Sequence, residues 1–272
     1  MRATMIPAAA LALLATACVS ERTEAQSLAQ RVRAAGDGMV ELHFAARPGV
    51  CGDGRRYFSM GRRSYFGEFT SGRDNRNCEP GPARVRMRVE RGTISDLKVT
   101  VGPQVTHEDR ATDLGAVGSA ETARYLLAVA DTSSSGVARG AITAAVLADS
   151  VSVWPQLLAL ATDTTHASRS TRHDAMFWVG RFAAAKVSGH GEDIAAYEDD
   201  AGDRDDRDDA RDAAVFALSQ LRGKEGVEPL LQVARSHKDP QVRQKAIFWL
   251  GESGDPRAVA LFREILKGAG RG

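Results

Sequence analysis

The stretch that decides the fold reads ARDAAVFALSQL (210–221), GVEPLLQVARSHKDPQVRQKAIFWLGES (226–253) and GDPRAVALFREIL (254–266). It repeats itself. Phe216 and Leu218 recur as Phe248 and Leu250, and Leu230-Leu231 recur as Leu261-Phe262, a period of about 32 residues. Periods of that length belong to chains that stack one helical unit on the next, because a single helix pair cannot bury its apolar face alone.

Four segments align upstream and downstream: AITAAV from Ala141, AMFWVG from Ala175, AVFALS from Ala214 and AIFWLG from Ala246, spaced by 34, 39 and 32 residues. In each, a small residue permits close helix approach and the bulky residues after it fill the layer between helices. Three are followed by a leucine-rich second helix: WPQLLALA, GVEPLLQVA and PRAVALFREIL. After Ala175 that partner is reduced to DIAAYE. Trp178 and Trp249 occupy equivalent positions and read as core. Ahead of these, SAETARYLLAVAD puts Ala123, Leu126, Leu127 and Ala130 on one helical stripe, with Ser119 as N-cap.

The punctuation agrees with the periodicity. Asp239-Pro240 and Asp255-Pro256 each set a capping carboxylate before a proline at the first helical position, where its missing N–H costs nothing. Gly268 follows Leu266 as a C-cap. DPQVRQKAIFWLGESGDPRAVALFREIL (239–266) resembles a HEAT repeat, whose first helix runs Asp-Pro-x-Val-Arg-x-x-Ala. Asp239, Pro240, Val242, Arg243 and Ala246 match that pattern. The resemblance extends over about residues 119–270 and is strongest in the last two repeats. It implies an α-solenoid of about four helical pairs over 119–272, and a protein-binding scaffold rather than an enzyme. Some bacterial relatives of this repeat type are phycobilin lyases, a role that export of this chain argues against.

Export is read from the first residues. Arg2 and the apolar run IPAAALALLATA form a signal peptide over 1–17, too short to span a bilayer as a helix, which needs about 20 residues. Two endings stand: cleavage after Ala17, or a lipobox in LLATAC that makes Cys18 the lipidated first residue. Either places the chain in a bacterial periplasm or envelope. Removing Cys18 leaves Cys51 and Cys78, an even pair in an oxidising compartment, and these are expected to form a disulfide. A reactive Cys51 thiol served by His43 is the competing reading.

Residues 18–35 form a tether in which SLAQRVRAA is short helix material. From Gly38 the period changes to two. Val40, Leu42 and Phe44 alternate with Glu41 and His43, and Val85, Met87 and Val89 alternate with Arg84, Arg86 and Arg88. Arg91-Gly92 then supplies a turn before Ile94, Leu97, Val99 and Val101, so a hairpin is expected. Residues 36–103 thus form a small β-rich domain whose hairpin has an all-arginine outer face, a candidate partner-binding surface. Residues 104–118 read as a linker. The fold class is α+β: a β-rich N-terminal domain followed by an all-α solenoid.

A net charge of +1 argues against a nucleic-acid binder. No HExxH, zinc spacing, phosphate loop or GxSxG is present, so no catalytic residue, metal or cofactor is assigned. The run EDDAGDRDDRDDARD (198–212) gathers Asp203, Asp205, Asp206, Asp208 and Asp209. Arg204 and Arg207 interrupt it and no glycine sits at an EF-hand turn, so it reads first as a solvated loop and second as a calcium or cationic-partner site. The expected function is a non-enzymatic scaffold or adaptor of the cell envelope that binds another protein, docking it at the irregular pair between Ala175 and Asp212. Membrane contact would come only through an N-terminal lipid. The alternatives are a periplasmic enzyme or enzyme accessory with chemistry in the β-domain, and a calcium-dependent binding module.

Overall fold

The computed structural model describes residues 27–55, 57–61, 64–67, 78–103, 110–197 and 209–268. The expected signal peptide at 1–17, the lipidation candidate Cys18 and Asp203, Asp205, Asp206 and Asp208 lie outside the described residues.

A short helix, α1 (Leu28–Ala35), opens the structure. Ser27 and Gln30 form a reciprocal capping box, and Leu28 and Val32 turn inward. The Leu28 amide donates to the Glu121 carboxylate at 2.6 Å, fastening this part of the expected tether to the helices.

Strands β1 (Gly38–Phe44), β2 (Val50–Gly52), β3 (Tyr57–Met60), β4 (Ser64–Gly67), β5 (Glu79–Pro80), β6 (Ala83–Glu90), β7 (Thr93–Val101) and β8 (Ala111–Ala116) make two four-stranded sheets. The first has the order β7-β6-β1-β8. Val40, Leu42 and Phe44 lie in register with Met87, Val85 and Ala83. The period-2 pattern is therefore one buried face. Arg91 and Gly92 both take positive φ, the turn a two-residue hairpin favours. Asp37 accepts from both of their amides, at 2.9 and 3.1 Å, which holds its carboxyl below the usual range.

β8 corrects the expected linker at 104–118. It pairs in parallel with β1 and becomes the edge of the sheet. Thr112 and Asp113 are exposed, so an edge strand of this kind carries no apolar alternation to read.

The second sheet has the order β4-β3-β2-β5, and the Cys51–Cys78 disulfide joins β2 to the start of β5 with the Cα atoms 5.1 Å apart. This sheet meets the end of β7 through glycines. A Cβ on Gly102 would stand 2.5 Å from the Gly52 carbonyl oxygen, and one on Gly81 2.7 Å from that of Gly102.

The helices are α2 (Ser119–Thr132), α3 (Ser135–Leu147), α4 (Trp154–Thr162), α5 (Arg169–Val187), a helical turn at 194–197, then α6 (Asp209–Ser219), α7 (Val227–Ser236), α8 (Pro240–Ser253) and α9 (Ala258–Lys267). α3 lies between the sheet and the other helices, so Val137, Ala138, Ala141, Ile142 and Ala144 through Leu147 are all buried. Gly140 lets it settle on β7, where a Cβ would meet Leu97 at 2.9 Å. Strand and helix regions share one continuous apolar core. Residues 45–47 zip onto 146–151 at the junction: Ala46 bridges Ala148, and the Arg47 guanidinium donates to the carbonyls of Val146 (2.7 Å) and Val151 (2.5 Å).

Two helical pairs stack by translation. Phe216 of α6 meets Trp249 of α8, their ring centroids 5.2 Å apart, and farther along Lys224 Nζ lies 3.1 Å from Asp255 Oδ2. Residue numbers rise together, so α6 and α8 run parallel, as successive repeats do. α7 and α9 do the same: Arg257 Nη2 donates to the Lys224 carbonyl ahead of both helices, and Ala234 and Arg235 at the end of α7 border the same cavity as Glu264 and Ile265 near the end of α9.

α5 does not continue this stack. It packs on α8 rather than on α6, and it runs the opposite way. His173 Nε2 lies 3.0 Å from the Glu252 carbonyl oxygen, Met176 faces Gly251, and Gly180 faces Gly251 and Ile247. The last helical pair therefore sits between α5 and the α6–α7 pair. Of the expected solenoid of about four pairs, translation is evident in the last two, and α5 crosses α8 in the opposite sense instead of stacking on α6. Helix stripes made of the same residue types fit either way round, so the pattern alone could not choose.

Candidate functional site

The first candidate is the polar face of the larger sheet. The register sets Arg84 between His43 and Thr100, Arg86 between Glu41 and Lys98, and Arg88 between Met39 and Asp96. The expected all-arginine outer face is not uniformly outer. Arg88 is exposed, but Arg86 is mostly covered and Arg84 is only 8% exposed. Arg86 Nε lies 3.2 Å from Glu41 Oε2, an ion pair by distance whose N–H is not aligned for a hydrogen bond. Arg84 has no carboxylate within ion-pair distance among the described residues, and its Nε is sealed without an acceptor. Period-2 reading placed these residues on one face correctly. It could not tell that the face is partly covered.

The second candidate is the free flank of α6. Phe216 is 47% exposed and Leu221 45%, the large apolar side chains most open to solvent among the described residues. Beside them Leu218, Leu221, Leu230 and Trp249 line a groove of about 370 Å³, with Lys224 and Glu252 at its rim. Trp178 is buried, as its repeat position implied. Its counterpart Trp249 is only partly covered, because Phe216 leaves its outer edge open. A group of the helical core that the sequence did not single out is Arg181. It is buried over the rings of Phe177, Trp178 and Phe248 at 5.0–5.8 Å.

The remaining expected sites are quickly placed. Asp209 opens α6, but the rest of its acidic cluster is outside the described residues. Cys51 is bonded to Cys78 and offers no free thiol beside His43. Asp239 caps α8 by accepting from the Gln241 amide at 2.9 Å. Asp255 accepts from the Arg257 amide at 3.0 Å and pairs with Lys224 and Arg257 at 3.1 and 3.0 Å. Among the described residues no group of three His, Cys, Asp or Glu is placed to hold a metal ion.

No curated protein and no solved structure matches the chain. Residues 201–270 match the family of HEAT repeats, the same span in which α6–α7 and α8–α9 stack by translation, and this part of the chain is HEAT-like.

Proposed function

We propose that the chain is a non-enzymatic protein-binding scaffold of the bacterial cell envelope that captures an amphipathic helix of a partner on the open flank of α6. HEAT repeats commonly mediate protein interaction, and the HEAT-like segment contains this flank. The observation that carries the reading is the pair Phe216 and Leu221, both about half exposed beside the groove under Trp249. A terminal repeat normally turns a polar face to water. Here Phe216 and Leu221 open apolar surface to water, and a partner helix laid along α6 would extend the layer that α6 and α8 begin. The acidic run just before α6 favours a partner with basic flanking residues. Export is supported by the apolar leader at 1–17 and by a disulfide, which persists in an oxidising compartment; Cys18 would carry the anchor.

The test is a photo-crosslinking residue at Phe216, with the same residue at exposed Arg169 as control, in cells that produce the full chain. One discrete adduct from position 216 is expected, and Leu221→Glu should abolish it. Identical adducts from both positions, or an adduct unaffected by Leu221→Glu, would sink the proposal.

A further inference from the structure

We infer that the polar face of the larger sheet is a binding site for a small oxyanion of the phosphate class, held by Arg84 and bordered by Arg86 and His43. Cations crowd this face. Arg84, Arg86, Arg88, Lys98 and His43 lie in three adjacent rows of the register, against Glu41, Asp96 and Asp113. The carboxylates are distributed unevenly. Glu41 lies beside Arg86, Asp96 opposite Arg88, and Asp113 beside Glu41. Only the row of Arg84, with His43 on one side and Thr100 on the other, has none. Arg84 is also the most buried of the three arginines.

A buried guanidinium with neither counter-ion nor acceptor is costly, and proteins rarely keep one that nothing uses. Arg84 Nε is sealed, while its two Nη atoms keep some contact with solvent and bond to nothing among the described residues. Nε is thus covered while the two Nη atoms stay within reach of solvent, and a planar fork presented in this way can take two oxygens of one anion. Arg86 Nη2, also without an acceptor, lies two residues along the same strand. Thr100 and His43 are the cross-strand neighbours of Arg84 on the same face and can add polar contacts. A free anion and a lipid headgroup share this chemistry. The burial of Arg84 favours the free anion, because a bilayer surface cannot follow a guanidinium that far in.

The test uses the full-length chain in a non-phosphate buffer at constant ionic strength. Inorganic phosphate is expected to raise the melting temperature in a saturable way beyond a chloride control. Arg84→Met should abolish the shift and Arg88→Met should preserve it. Without anion, Arg84→Met should melt no lower than the wild type, because it removes an uncompensated charge. Arg84→Lys, which keeps the charge and loses the fork, should weaken phosphate binding at least tenfold and keeps the test open if the methionine variant does not fold. Binding to phosphatidylglycerol but not phosphatidylcholine vesicles, lost in Arg84→Met and without a response to free phosphate, would assign the site to a headgroup. An effect of phosphate equal to that of chloride together with no vesicle binding, or a response unchanged in Arg84→Met, overturns the inference.

Discussion

Gly180 of α5 and Gly251 of α8 cross with nothing between them. A methyl built on Gly180 would stand 2.7 Å from the Gly251 Cα, and one on Gly251 would stand 3.0 Å from the Gly180 Cα. Both glycines end the same repeated segment, AMFWVG and AIFWLG, so two copies of one helix face meet each other head to tail. Alanine in a helix interior gains about 1 kcal/mol in propensity over glycine. Here its methyl has backbone to displace, and overpacking costs about 1–3 kcal/mol. Overpacking wins. Gly180→Ala should lower stability by up to about 2 kcal/mol in urea denaturation, and Gly251→Ala by less. The double variant should cost less than the sum, because the first methyl already parts the helices.

Asp255 makes stability pH-dependent in the acid range. Burial pushes its carboxyl upward, but hydrogen bonds from the Arg257 side chain and amide, with Lys224, outweigh it and hold the carboxyl at about 2. Because the folded value is depressed, the contribution is complete above the ordinary carboxylate range near 4 and is lost as pH falls through about 2. That contribution is on the order of 2 kcal/mol. Asp255→Asn should remove most of the difference in unfolding free energy between pH 5 and pH 2 that this group supplies. An unchanged pH slope in that variant would contradict the assignment.

The Cys51–Cys78 bridge closes a loop of 27 residues in sequence separation, which stabilises by about 3–4 kcal/mol on the chain-entropy estimate. The three tryptophans, Trp154, Trp178 and Trp249, all lie in the helices. Since sheet and helices share a core, Cys51→Ser with Cys78→Ser should lower the tryptophan-detected melting transition. A transition that ignores the bridge would mean that the two regions unfold independently.

Arg47 is the test of that junction. Its burial lowers its affinity for the proton, while Glu192, Asp149 and Asp193 oppose the shift. The guanidinium serves the Val146 and Val151 carbonyls and lies over the Phe182 ring at 5.6 Å. Hydrogen bonds from a charged donor are worth about 1.5–3 kcal/mol each. Arg47→Met should cost about 2–4 kcal/mol in urea, far more than Arg169→Met on the surface.

Much of this was legible in the residues and some was not, for identifiable reasons. Val40, Leu42 and Phe44 on one side and Glu41 and His43 on the other give a two-residue period, and a buried sheet face must obey it. Asp239-Pro240 marks the start of α8 because the cap chemistry is local. The strand at Ala111–Ala116 was hidden because an edge strand with little burial has no pattern to keep. The partial burial of Arg84 was hidden because alternation reports which face a residue is on and not what lies over that face. The turning of α5 was hidden most deeply. Met176 and Ile247 fill equivalent repeat positions, and their apolar stripes fit in either direction, so direction is decided by chain connectivity and by the two glycines.

The reversed docking of α5 has a consequence for growth. A translational array can in principle be lengthened at both ends by copying its unit, but a helix laid across the stack in the opposite sense offers no matching face to the next copy. The HEAT-like part of this chain is therefore one-ended. On the α5 side it is stoppered by its own sequence, and among the described residues the face left open to a further layer, whether a duplicated repeat or a borrowed helix, is the one where Phe216 stands.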